Sequence, residues 1–216
     1  MKNIENAVQA ELPETGVEGP AEGMSPDSQA PGRKREIAGR KKSGLGIREV
    51  LLIGILLAAG AVLKFFVGSV INFGMKPNFI IAMYCLIILL IRPRLAEAAI
   101  IGILAGAICQ FFPGQPYINF ASELLGALVM CLLSRIPLNT GKVPVKTLLC
   151  TFFSTLASGF SFTGIMYLIY YAGADIAPTP LAIFLAIILG TACINSIIVQ
   201  ILYLPLRLVL KKEDSL

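Results

Sequence analysis

Six nearly uncharged, apolar stretches, parted by prolines, glycines and arginines, leave this chain few choices of solvent. They run about from Val50 to Val67, Pro77 to Ile91, Leu95 to Phe112, Asn119 to Ser134, Val145 to Tyr171, and from Pro180 past Pro205. In hydrocarbon every backbone N–H and C=O must be bonded within its own segment, so each stretch is expected to be a helix. A span takes roughly 20 apolar residues. The second and fourth stretches are short for that, which points to tilt, a thinned bilayer or longer true boundaries. Pro77 suits a first helical turn. Composition agrees: 56% of the 216 residues are hydrophobic and 14% charged, against roughly a quarter charged in a soluble domain. The expected fold class is an all-α membrane protein, a six-transmembrane-helix bundle.

The charges avoid the apolar stretches and fall unevenly between them. With the amino terminus inside, the inner segments 1–48, 92–97, 135–146 and 205–216 hold all of the 18 Lys and Arg except Lys64 and Lys76. Six spans with both termini cytoplasmic satisfy the positive-inside rule almost completely. Residues 1–45 are expected to be a disordered cytoplasmic tail, acidic at first and then basic. Residues 46–212 are expected to be the membrane domain, and 213–216 a short cytoplasmic end. The tail's Glu5, Glu11, Glu14, Glu18, Glu22 and Asp27 give way to Arg33, Lys34, Arg35, Arg40, Lys41 and Lys42. Such a basic run beside a first span anchors on anionic headgroups. The net charge of +5 therefore reflects topology, and no nucleic-acid-binding module accompanies it. No apolar signal core precedes residue 46, so the first span is expected to stay in the mature protein.

Chemistry-bearing side chains gather in the outer half. Lys64 lies near the outer end of the first span, Asn72 and Lys76 in the first outer connection, and Gln110 at the end of the third span. Gln115, Asn119 and Glu123 surround the second outer loop. Ionisable groups in lipid normally face the protein interior. Glu123 stands about one turn past Asn119, so the two can share a helix face. Two roles are open to it. One is a structural pair with Lys76 or Lys64 that locks the outer loops. The other is a ligand-facing carboxylate that meets a substrate ammonium while Lys76 or Lys64 meets a substrate carboxylate, as a zwitterionic amino acid requires. Phe73, Phe111, Phe112 or Tyr117 could stack on an aromatic ligand.

The inner parts of the bundle are plainer. The hydroxyls of the fifth span, Ser154, Thr155, Ser158, Ser161 and Thr163 among them, are expected mostly to bond their own helix carbonyls. Asn195, Ser196 and Gln200 need partners and should face the interior. Gly54, Ala58 and Ala61 form a small-residue stripe on the first span, suited to internal packing or to docking of a membrane partner. The five cysteines, Cys85, Cys109, Cys131, Cys150 and Cys193, have no CxxC spacing and are expected to act as small hydrophobes. Histidine is absent, so no metal site and no cofactor is expected. No GxSxG, HExxH or Walker A sequence occurs, so catalysis and P-loop ATP hydrolysis are not expected. Driving energy must come from an ion gradient or another subunit.

Several short motifs resemble the bacterial tryptophan transporter family. They are Gly74-Met75-Lys76-Pro77, Gly60-Ala61-Val62-Leu63, Phe112-Pro113-Gly114 with Ile118-Asn119, and Asn195-Ser196-Ile197 with Tyr203 and Pro205. Lys64 stands where that family carries a histidine, Asn78 where it carries an aspartate, and Ser122-Glu123 where an aspartate–lysine pair is expected. The resemblance implies a fold like the substrate-binding S components of energy-coupling factor transporters. It also implies an outward pocket roofed by the first loop, and a face on the first span for a transmembrane coupling subunit with its ATPases. Candidate substrate-binding residues are then Lys76, Asn78, Asn119, Glu123, Lys64, Asn195 and Gln110, with Gly54, Ala58 and Ala61 as candidate partner-docking residues. The chain itself has no tryptophan. Three functions compete: a binding component for tryptophan or a related aromatic compound, an S component for a vitamin-like molecule, and a non-transporting membrane scaffold.

Overall fold

A computed structural model describes residues 44–70, 78–113, 115–137, 145–176 and 180–213. The acidic and basic parts of the expected tail, and Asn72, Phe73, Lys76 and Pro77, lie outside the described residues. The described chain is all helical, with α1 (Ile47–Val70), α2 (Ile80–Ile91), α3 (Leu95–Cys109), α4 (Pro116–Arg135), α5 (Val145–Tyr171) and α6 (Leu181–Glu213). Local chemistry sets several of the ends. Glu49, in the first turn of α1, accepts the Gly46 N–H. Glu97 likewise accepts the Arg94 N–H at 2.7 Å ahead of α3. Pro116 opens α4, where its missing N–H costs the helix nothing.

Two expected boundaries move. The second helix does not start at Pro77, because Phe79 is its N-cap and the Asn78 side chain accepts the Ile80 N–H at 3.3 Å. An asparagine that bonds two residues ahead holds the backbone in a turn, and the helix follows it. The fourth helix starts at Pro116 rather than Asn119, which restores a full membrane length.

The short α2 has a different explanation from tilt or thinning. Every residue from Ile80 to Leu89 is buried. A helix apolar all round belongs inside protein, and α2 packs against each of the other five helices. Its roughly 18 Å length need not match the lipid, because protein rather than lipid surrounds it. Around it the neighbours follow in the order α1, α3, α4, α5, α6. Four helices, α1, α4, α5 and α6, are long and apolar enough to cross a membrane, while α2 and α3 are shorter. Large apolar side chains such as Ile55, Phe66, Leu168 and Ile201 point outward, as lipid contact requires.

Close packing is supplied by glycines that the sequence pattern did not single out. A Cβ on Gly102 would stand 2.9 Å from the Glu123 carbonyl and the Leu124 Cα, and one on Gly106 would stand 2.9 Å from the Phe120 Cα. Four residues apart, these glycines let α3 lie against the α4 backbone, the small-residue contact that membrane helices use in place of a hydrophobic drive. Gly60 does the same for α1 on α2 against Met83 and Ile80. Gly54 and Ala58 instead lie on the exposed side of α1 while Ala61 is half-buried, so internal packing is corrected for the first two.

One end of the bundle is basic. Arg135 donates to the Pro93 carbonyl at 3.3 Å, Lys146 to the Ser134 and Ile136 carbonyls at 2.7 and 2.6 Å, and Arg48 to the Leu210 carbonyl at 3.1 Å. Cations thus satisfy carbonyls left over where helices end, and they favour the negative pole of the dipole there.

Candidate functional site

The other end of the bundle collects a buried polar cluster from all six helices. Lys64 comes from α1, a turn and a half before the helix ends, and is only 7% exposed. Its ammonium donates to the Cys109 thiol at the end of α3 (3.3 Å) and stands 5.0 Å from the centre of the Phe112 ring. Asn78, at the entry to α2, bonds through its Nδ2 to a Glu123 carboxylate oxygen and lies 3.8 Å from the Cys109 sulfur. Glu123, on α4, is 1% exposed and takes a second hydrogen bond from Ser158 of α5 at 3.4 Å. The Tyr84 hydroxyl lies beside the same carboxylate and the Ser154 and Ser158 hydroxyls. From α6, Asn195 donates through Nδ2 to the Asn78 carbonyl at 3.2 Å and is fully buried.

These contacts bear on one of the two roles left open for Glu123, the pair with Lys64. Among the described residues neither Lys64 nor Glu123 touches an opposite charge. Among the described residues they are linked through Cys109 and Asn78. Taking an ion out of water costs several kcal/mol even after relaxation, and a cation over an aromatic face returns about 2 kcal/mol at most. The two charges are therefore each hydrogen-bonded to neutral groups and attract one another across a gap rather than in contact. Lys64 is excluded as a direct ion-pair partner of Glu123. Lys76 lies outside the described residues.

The remaining candidates divide. Asn119 is half-buried, and its backbone carbonyl accepts from Ser122 at 3.4 Å. The Gln110 side chain turns back to the Gly106 carbonyl at 2.9 Å, within its own helix. Phe111 and Tyr117 are 87% and 82% exposed, so they are corrected as stacking partners, while Phe112 sits at the cluster. On α5, Thr151, Thr155 and Ser161 bond carbonyls four residues back. Ser158 and Ser154 instead reach α4, the latter at the Gly126 carbonyl. Asn195 and Ser196 are interior as expected.

Cys109, Tyr84 and Ser158 are the members that sequence reasoning missed or left in a crowd. A cysteine or tyrosine in an apolar run reads as a hydrophobe, and only the neighbouring Lys64 or Glu123 gives it a role. Among the described residues no three His, Cys, Asp or Glu side chains gather to hold a metal ion. An apolar groove of about 690 Å³ lies between α1 and α6 over Met83, lined by residues such as Leu56, Phe66, Leu202 and Pro205. Among the described residues its lining carries no charge, unlike the polar cluster.

Comparison with known proteins gives the chain a family. Residues 46–211 match the family described as "Tryptophan transporter TrpP". A "Probable tryptophan transport protein" of Clostridium acetobutylicum is 25% identical over 166 residues, covering 76% of this chain and 94% of that protein. No solved structure matches the chain.

Proposed function

The chain belongs to the tryptophan transporter TrpP family and serves tryptophan uptake, and from that premise we propose that it holds tryptophan as a zwitterion between Lys64 and Glu123. The observation that carries this reading is the buried pair of opposite charges without a direct contact. Tryptophan brings a carboxylate for the Lys64 ammonium and an ammonium for the Glu123 carboxylate. Each charge then gains, in a low-dielectric site, the opposite charge that it lacks. Asn78 keeps the two apart and gives Glu123 a donor, and the Phe112 face offers an apolar wall beside Lys64. Asn119 and Gln110 belong to the rim of this proposed site, and Lys76, outside the described residues, stays a candidate ligand residue.

The same reading extends to topology. The basic end belongs in the cytoplasm of a bacterial cell, with both termini there and the polar cluster in the outer half, as the positive-inside rule requires. Six crossings follow if α2 and α3, with their connections, complete the passage that four longer helices make alone. The chain acts as a substrate-binding component. The outward Gly54 and Ala58 of α1 then provide a face on which a transmembrane coupling subunit can pack closely, with ATPase subunits behind it. Residues 1–45 form an accessory tail, acidic at first, whose basic run from Arg33 onward anchors on headgroups.

Calorimetric titration of the purified full chain with tryptophan tests the reading. Saturable binding is expected. No heat with tryptophan, together with tight binding of a vitamin, would move the substrate to the vitamin class. Recovery of coupling and ATPase subunits on purification supports the binding-component role, whereas uptake by this chain alone in vesicles would exclude it.

A further inference from the structure

The cluster contains an acceptor that the zwitterion does not use. Among the described residues the buried Asn195 Oδ1 has no hydrogen-bond partner. Its orientation is fixed by chemistry, because the other half of the amide faces the Asn78 carbonyl. A carbonyl accepts only, so the nitrogen must point to it and the oxygen must be the free atom. An amide oxygen cannot rotate away to a new partner as a hydroxyl hydrogen can. The Tyr84 and Thr163 hydroxyls, also without a bond of good geometry, have that escape. The Gln200 Oε1 is a second orphan acceptor, but it lies five residues nearer the basic end, roughly 7 Å along the helix.

An orphan acceptor in a dry site costs about as much as a hydrogen bond is worth, and a ligand donor recovers it. Tryptophan offers three polar groups. Its carboxylate needs donors, which Lys64 has; its ammonium needs a charged acceptor, which Glu123 is; its indole N–H needs one neutral acceptor. We infer that Asn195 Oδ1 accepts the indole N–H and is the residue by which the protein selects indole over other aromatic side chains. This rests on the zwitterion reading above. A site built around such a bond rejects an analogue that lacks the donor, because its own polar atom is then stranded.

The test compares tryptophan with 3-benzothienylalanine, which replaces the ring N–H by sulfur and keeps the shape and the zwitterion. Wild-type protein should prefer tryptophan about five- to 150-fold, and Asn195→Leu should bind the two equally. Equal affinity in the wild type, or a preference that survives in Asn195→Leu, would overturn the assignment while leaving tryptophan binding intact. Failure to bind either compound would instead remove the zwitterion reading together with this inference. A second measurement needs no variant. The chain has no tryptophan of its own, so the resonance Raman signal of bound tryptophan is unobscured. It should show a hydrogen-bonded indole N–H, and a free N–H would overturn the assignment.

Discussion

Lys64 and Glu123 are buried in one polar cluster yet, among the described residues, meet through Cys109 and Asn78, which join the lysine to the carboxylate. The arrangement is unusual for lipid, where ionisable side chains normally pair with one another or with backbone carbonyls. On the proposed zwitterion reading, a ligand with two opposite charges turns this electrostatic burden into a binding site.

Removing either charge should weaken binding steeply. Truncating one partner of a buried charge pair costs about 2–5 kcal/mol, so Lys64→Met and Glu123→Gln should each lower tryptophan affinity by about 30-fold or more. Titration of both variants checks this. A loss under about threefold in each would place the substrate elsewhere.

Asn78 is expected to act through Glu123. Asn78→Leu removes a donor from a buried carboxylate, a change worth about 1–3 kcal/mol. It should lower both the melting temperature and the tryptophan affinity, whereas Asn78→Asp should repel Glu123 and damage binding more. Thermal unfolding in detergent, with and without tryptophan, measures both effects.

The glycines separate packing from docking. Gly106→Leu should destabilise the protein by about 1–3 kcal/mol through overpacking, because α4 backbone already fills the space. Gly54→Ala meets nothing within 4 Å and should leave the melting temperature unchanged or raise it by up to ~1 kcal/mol worth of stability. Gly54→Leu should spare tryptophan binding and reduce uptake if α1 is the coupling face. Undiminished uptake in Gly54→Leu cells would remove α1 from that role.

Deletion of residues 1–45 should leave tryptophan uptake in place, measured with labelled substrate in whole cells and corrected for the amount of protein in the membrane. Lost uptake at normal membrane levels would give the tail a direct part in function and revive the scaffold reading.

Much of this was legible from a few residues that break the apolar pattern. A lysine, a glutamate and an asparagine in lipid have to be accounted for, and Lys64, Glu123 and Asn195 all converge on the cluster. Helix faces were harder to read. In a membrane the core side and the lipid side are both apolar, so periodicity does not show that α2 is the central helix or that Gly54 looks outward while Gly60 packs inward. The Gly102–Gly106 contact follows a spacing that many membrane helices carry, and only its approach to the Glu123 carbonyl reveals its place. Cys109 and Ser158 could not be singled out, since their roles depend on side chains from other helices.

The most direct test of the central claim uses three indoles: tryptophan, tryptamine without the carboxylate, and indole-3-propionate without the ammonium. Affinities are measured by titration for wild type, Lys64→Met and Glu123→Gln. Wild type should prefer tryptophan to both analogues. Lys64→Met should erase the preference over tryptamine and Glu123→Gln the preference over indole-3-propionate. Wild-type preferences surviving in both variants would contradict a zwitterion held between Lys64 and Glu123.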